Sequence, residues 1–207
     1  MIHLFHGFLG KTEDLEFFNE FGETRSYDMK TFDPERFKAS EDDVLVGYSM
    51  GGRVALRIAN RLNYKIKKTI LLSANPNSLS PEEKTARIEW EEKMKALMLT
   101  KPATEFLEIW NNLGIFKNDR PIKEVSDDEL KIWAHVFENY RLSDQADYLS
   151  DLKAHPDKFA WIVGNLDEKY LNIAKTSGVN YHTIKAGHRL FQEPEAIVKL
   201  IKEQNLL

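Results

Sequence analysis

One serine stands between two glycines, each two residues away, in the segment Gly47-Tyr48-Ser49-Met50-Gly51. This is the G-x-S-x-G pattern, in which a sharp strand-to-helix turn exposes the serine oxygen and leaves room only for small neighbours. An apolar run at residues 43–46 precedes it, and residues 51–62 follow with apolar side chains at helical spacing. The pattern predicts that Ser49 is a nucleophile or base. The alternative is a glycine-rich turn with an inert serine.

A reactive serine needs a base and an acid that orients this base. Of the six histidines, only His188 both follows Ser49 and comes directly after a predicted strand. The acid should lie between them in the chain. Asp167, three residues past the turn glycine Gly164, is the first choice and the adjacent Glu168 the second. We therefore predict a Ser49–His188–Asp167 triad, in which Asp167 could also cap a helix.

Negative charge that develops on a reacting oxygen needs preorganised N–H donors. After a G-x-S-x-G serine, one donor is the next backbone amide, here that of Met50. The second comes from a loop after an earlier strand, and His6-Gly-Phe-Leu-Gly10 occupies that place. We predict that Phe8 and Met50 form an oxyanion hole through their backbones, which leaves the Phe8 side chain free to line a pocket.

Short apolar runs that end in turn signals must position these groups. They occur at residues 2–5, 25–29, 43–46, 69–72, 159–163 and 181–184. Runs that are apolar throughout are typical of strands buried on both faces of a parallel sheet. Helical patterns at residues 51–62 and 193–204 alternate with them. This alternation predicts an α/β fold.

Residues 75–150 interrupt the alternation and contain no convincing strand. Ser80-Pro81-Glu82-Glu83 is a typical helix start, with a capping serine, proline at the first position and acids near the positive end of the dipole. We predict that residues 75–150 form a helical lid. Residues 1–74 and 151–207 would then form the α/β core.

Composition restricts the function. The 207 residues have a net charge of −4, which argues against a nucleic-acid binder. The absence of cysteine excludes disulfides, thiolate metal sites and cysteine nucleophiles. No window approaches the roughly 20 apolar residues of a membrane span, and the first ten residues read as a strand and not as a signal peptide. We expect a soluble cytoplasmic protein without a bound metal.

The combination of His-Gly, Gly-x-Ser-x-Gly, Asp and Gly-His motifs resembles the α/β-hydrolases. Within that superfamily the sequence is most similar to the MenH family, the 2-succinyl-6-hydroxy-2,4-cyclohexadiene-1-carboxylate synthases of menaquinone biosynthesis. The similar stretches are residues 6–10, 47–53, 82–87 and 187–195. The resemblance implies an α/β-hydrolase fold with a mostly parallel sheet and a helical lid. Because the chain starts at the strand before His6, the two leading strands usual in the family would be missing, which leaves about six.

The resemblance also implies a function. That family abstracts a proton and eliminates pyruvate from a small polycarboxylate, without a cofactor or an acyl-enzyme. It implies substrate-binding roles for Tyr48, Arg53, Arg87, Trp110 and Arg141, and guanidinium groups suit carboxylates because they bind them with two parallel hydrogen bonds. Each arginine could instead be a solvated surface residue.

Two alternative functions remain open. The same triad would serve a carboxylesterase or thioesterase that acts through an acyl-serine. A hydrolase-fold binding protein without activity is the third alternative, although a binder would not need the complete triad.

Overall fold

Six parallel strands form the centre of the computed structural model, which describes residues 1–207. The strands are β1 (Ile2–Phe5), β2 (Thr24–Tyr27), β3 (Val44–Tyr48), β4 (Lys68–Leu72), β5 (Phe159–Gly164) and β6 (His182–Ile184). Their order in the sheet is β2-β1-β3-β4-β5-β6, and every neighbouring pair is parallel. The predicted α/β fold with a sheet of about six strands is confirmed.

Seven α-helices connect or flank the strands. They are α1 (Met50–Arg61), α2 (Pro81–Thr100), α3 (Ala103–Asn111), α4 (Asp127–Asn139), α5 (Leu149–Ala154), α6 (Glu168–Ser177) and α7 (Pro194–Gln204). Short 3₁₀ segments at Thr12–Phe21, Gly114–Phe116, Pro156–Lys158 and Leu190–Gln192 complete the regular structure. None of the helices combines the length and the apolar composition that crossing a membrane requires.

The sheet is buried because its strands send apolar side chains to both faces. In β3, Leu45 lies in the core on one face together with Ile58 of α1, whereas its neighbours Val44 and Val46 lie in the core on the other face with Ile197 of α7. This alternation is the two-residue period of a strand. A strand covered on both faces reads as a continuous apolar run, which is why the central strands were predictable.

Strand β2 departs from its predicted range of residues 25–29. The strand ends at Tyr27, because the chain turns at Asp28, whose carbonyl accepts the N–H groups of Thr31 and Phe32. Met29, which was predicted to be part of this strand, lies beyond its end, and its N–H donates to Nε2 of the His6 ring.

Between β4 and β5 the chain is helical, with no strand from residue 73 to 158. Helix α2 begins as predicted at Ser80, whose side chain accepts the Glu83 N–H while the Glu83 carboxylate accepts the Ser80 N–H. The division of the chain into core and lid remains a prediction, and its proposed border between residues 150 and 151 falls inside α5.

Candidate active site

Ser49 lies at a sharp turn between β3 and α1. Its φ of 51° falls in the left-handed region, which a non-glycine residue rarely adopts. The turn is also crowded: a Cβ on Gly47 would overlap the Gly51 carbonyl, and one on Gly51 would overlap the Phe5 carbonyl. The two glycines of the motif are therefore required by the close approach of backbone segments. The result is a serine that projects from the carboxyl end of the central strand.

The sequence-predicted triad residues lie in one hydrogen-bonded chain. Ser49 Oγ is 3.0 Å from His188 Nε2, and His188 Nδ1 is 2.7 Å from Asp167 Oδ2. Both contacts are satisfied when Nδ1 carries the proton and Nε2 accepts from the serine hydroxyl. His188 and Asp167 are each only 2% exposed, so water does not compete for these contacts.

Asp167 has a second partner, because its other carboxylate oxygen accepts the Tyr170 N–H at 3.2 Å and caps α6. The alternative acid, Glu168, is exposed and pairs with Lys117 at 2.6 Å. The structure thus places Asp167, and not Glu168, against the histidine.

The residues predicted as an oxyanion hole, Phe8 and Met50, line the same cavity as Ser49. The Phe8 N–H has no hydrogen-bond partner in the protein. Met50 is the first residue of α1, so its N–H has no acceptor within the helix. Both groups are free to donate to a bound oxygen.

His6 supports the loop that contains Phe8. Its Nδ1–H donates to the Gly7 carbonyl at 2.9 Å, and its Nε2 accepts the Met29 N–H at 3.1 Å. This pair of contacts requires the neutral imidazole, and burial lowers the pKa of His6, which favours the same form. His6 is therefore a structural residue, which explains the His-Gly motif without a role in proton transfer.

A cavity of about 380 Å³ opens next to Ser49 and His188. Ten apolar or aromatic residues form most of its wall: Phe8, Met50, Trp90, Trp110, Leu113, Ile115, Phe116, Phe137, Leu142 and Tyr170. The charged residues in the wall are all cationic, namely Arg53, Arg87 and Lys169, and no carboxylate lines the cavity. Such a wall suits a small molecule that combines an apolar body with negative charge.

Two of these cations, Arg53 and Lys169, have no carboxylate partner within ion-pair distance. Arg53 projects from the first turn of α1 and donates through one terminal nitrogen to the Tyr140 carbonyl at 2.8 Å, while burial lowers its pKa to about 10. It remains protonated at neutral pH. Lys169, at the start of α6, has no carboxylate within ion-pair distance. Loss of hydration and, after it, the Arg87 guanidinium lower the pKa of Lys169.

Arg87 is held in place from one side. Its Nε donates to the buried Glu91 at 2.7 Å, and its guanidinium lies 4.3 Å from the centre of the Trp90 ring. The other oxygen of Glu91 accepts the Ser143 hydroxyl at 2.6 Å. The terminal nitrogens of Arg87 have no protein acceptor, so they can meet a ligand carboxylate.

The remaining predicted binding residues lie in different places. Trp110 lines the cavity, and its Nε1 is buried without a hydrogen-bond partner. Tyr48 lines a smaller cavity of about 170 Å³, which shares Ser49 and Phe8 with the first and also contains Asp14 in its wall. Arg141 lies outside both cavities and pairs with Glu92 at 2.6 Å and Glu138 at 3.3 Å.

Sequence reasoning missed Lys169, Trp90 and Tyr170 as cavity residues. For Lys169 and Tyr170 a signal existed, since both lie within three residues of Asp167 at the start of a helix. Trp90 lies three residues after Arg87 on α2, so the two side chains share one face of that helix. No group of three or more histidine or acidic side chains is arranged to hold a metal ion.

Comparisons with known proteins give sequence relatives and structures of similar fold. No protein-family model matches the sequence. The 2-succinyl-6-hydroxy-2,4-cyclohexadiene-1-carboxylate synthase of Escherichia coli K12 is 28% identical over 159 residues, which span 73% of this chain but only 63% of that enzyme.

Solved structures show the same fold. MenH from S. aureus superposes with a TM-score of 0.75 at 17% identity, over 99% of this chain and 94% of that one. A Thermogutta terrifontis esterase superposes with a TM-score of 0.62 at 20% identity, over 98% and 88%.

The six-stranded parallel sheet and the serine at its strand-to-helix turn give this chain the α/β-hydrolase fold. Within this fold the chain is MenH-like: its sequence is similar to that of the E. coli synthase, and its fold is similar to that of S. aureus MenH.

Proposed function

We propose that this enzyme is a lyase of the MenH type, which eliminates pyruvate from a small polycarboxylate substrate in menaquinone biosynthesis. The main support is the wall of the cavity beside Ser49, which contains Arg53, Arg87 and Lys169 and no carboxylate. Guanidinium groups bind carboxylates with strong, oriented hydrogen bonds. A neutral ester would make no ionic contact with the three cations in the wall of this cavity. The sequence similarity to the E. coli synthase supports the same assignment.

In the proposed reaction, Ser49 Oγ removes a proton from a substrate carbon while its own proton moves to His188 Nε2. Asp167 stabilises the imidazolium that forms. The electron pair left on the carbon becomes a new C=C bond, and the bond between the substrate carbon and the oxygen of its enolpyruvyl group breaks, so that this oxygen leaves with the fragment. Negative charge that develops on oxygen is stabilised by the N–H groups of Phe8 and Met50. The leaving enolate takes the proton from His188 at its methylene carbon and departs as pyruvate.

A second candidate function is a carboxylesterase or thioesterase. The 3.0 Å contact between Ser49 Oγ and His188 Nε2 favours it, since the same pair can activate the serine for attack on an acyl group. The mostly apolar wall of the cavity would accept a short acyl chain.

The two functions are separated by offering both substrates to the same purified protein. One assay follows pyruvate release from the MenH substrate, and the other follows the absorbance of an aryl alcohol released from a neutral short-chain ester. We expect pyruvate release with the higher kcat/KM, and its loss in Ser49→Ala. Efficient ester hydrolysis without pyruvate release would refute the lyase assignment and support the esterase.

A further inference from the structure

A strap formed by residues 117–120, in the loop between α3 and α4, lies across the two loops that contain His188 and Asp167. At its first end, Lys117 pairs with Glu168 at 2.6 Å and the Asn118 side chain donates to the Leu166 carbonyl at 2.8 Å. Both partners flank Asp167 in the chain. The strap is therefore fixed to the loop that presents the acid.

Asp119, the middle residue of the strap, binds the backbone of the histidine loop. One of its carboxylate oxygens accepts the His188 N–H at 3.2 Å, and the other accepts the Arg189 N–H at 3.1 Å. A Cβ on Gly187 would overlap one of these oxygens. The Gly-His pair of the sequence is thus explained: the glycine lets a carboxylate approach the backbone beside the histidine.

At its second end the strap is fixed to the segment that follows His188. The Arg120 carbonyl accepts from the guanidinium of Arg189 at 2.6 Å, and the Arg120 N–H donates to the Gln192 side chain at 2.9 Å. Arg189 is 2% exposed, and its other terminal nitrogen donates to Asn111 at 2.8 Å. A buried arginine with an acceptor at each of its two terminal nitrogens fixes this end of the strap.

We propose that Asp119 is a positioning residue for His188, which sets the imidazole between Ser49 and Asp167 by holding its backbone from the lid side. The proposal depends on the triad put forward under the proposed function. A histidine at 3.0 Å from a serine and 2.7 Å from a carboxylate tolerates little displacement, because proton transfer requires hydrogen-bond reach at both nitrogens.

The test is the variant Asp119→Asn. Its side-chain amide keeps one acceptor oxygen but places an NH₂ donor opposite the other backbone N–H, so one of the two hydrogen bonds is lost. The first readout is the rate at which a fluorophosphonate modifies Ser49. Intact-protein mass spectrometry measures this rate, and the assay needs no natural substrate. The second is the proton resonance of His188 Nδ1–H. We expect modification to slow by about tenfold, as loss of one charge-assisted hydrogen bond implies, and the resonance to shift.

The matched control is Asp128→Asn on α4, an exposed aspartate paired with Lys131 at 3.1 Å, which makes the same change of charge away from the site. It should react like the original protein. If Asp119→Asn reacts at the original rate with an unchanged resonance, the proposal is refuted and Asp119 only stabilises the loop.

If Asp119→Asn does not fold, Arg120→Ala loosens the strap from its exposed end, where the side chain donates to the Gln192 carbonyl at 2.7 Å. Modification should then slow several-fold, and an unchanged rate overturns the proposal. Failure of the original protein to react at Ser49 would instead refute the triad, while the resonance of His188 would still test the role of Asp119.

Discussion

Replacing Arg53 with alanine should weaken action on an anionic substrate far more than action on a neutral one. The arginine lies one helical turn after Ser49 and faces the same cavity. A hydrogen bond to a charged group contributes about 1.5–3 kcal/mol. At about 1.4 kcal/mol per decade, Arg53→Ala should lower kcat/KM for the anionic substrate by about 10- to 150-fold. A neutral aryl ester lacks this contact, so its hydrolysis should change by no more than a few-fold.

The assay measures kcat/KM for pyruvate release and for ester hydrolysis in the same preparations. Loss of Arg53 also removes a donor from the Tyr140 carbonyl, so thermal unfolding is measured in parallel. The control is Arg57→Ala, one turn further along α1, where the arginine is half exposed and pairs with Glu35 at 2.7 Å outside the Ser49 cavity. Equal and small effects of Arg53→Ala on both substrates would refute the reasoning and favour the esterase.

Two further predictions follow from the site. Asp167→Asn should reduce kcat by about two to four orders of magnitude, because an amide favours the wrong histidine tautomer. Glu168→Gln should change kcat by no more than a few-fold, since it loses only the surface ion pair that fixes one end of the strap. The reverse ranking would move the acid to Glu168. Burial lowers the pKa of His6 in the folded protein. The unfolded chain, in which this pKa is about 6.5, therefore binds a proton at higher pH than the folded protein does. The contribution of neutral His6 to the free energy of unfolding is present above about pH 6.5 and is lost as the pH falls below that value. The unfolding temperature should fall between pH 7.5 and pH 5, and by less in His6→Gln; equal slopes would contradict this account.

The sheet could be predicted because strands that are buried on both faces appear in the sequence as continuous apolar runs. The range predicted for β1 matches the structure, and β3 extends only two residues beyond its predicted end, to Tyr48. Helix α6 has no clear helical period in the sequence, because only three of its ten residues are buried: Tyr170, Ala174 and Ser177.

The hydrogen-bonded chain of Ser49, His188 and Asp167 could be predicted from chain order, but which of the predicted binding residues line the cavity could not. Whether an arginine faces the cavity depends on which acidic side chains lie within its reach. Arg141 pairs with Glu92 and Glu138 outside the cavity, whereas Arg53 has no acidic partner. Nothing in the sequence states those pairings.

The contact between Asp119 and the His188 backbone joins positions 69 residues apart. It exists only because the loop after α3 lies across the ends of two strands. Such contacts follow from the tertiary structure and have no local pattern.

The central claim is that Ser49 and His188 act as one unit, and a double-mutant cycle tests it most directly. The kcat/KM for the substrate that the original protein converts fastest is measured for that protein, for Ser49→Ala, for His188→Ala and for the double variant. When two residues act as one unit, removing either of them abolishes nearly all of their joint contribution to the rate. The double variant should therefore be hardly slower than either single variant. Losses that multiply in the double variant, or a Ser49→Ala protein that keeps most of its activity, would contradict the account.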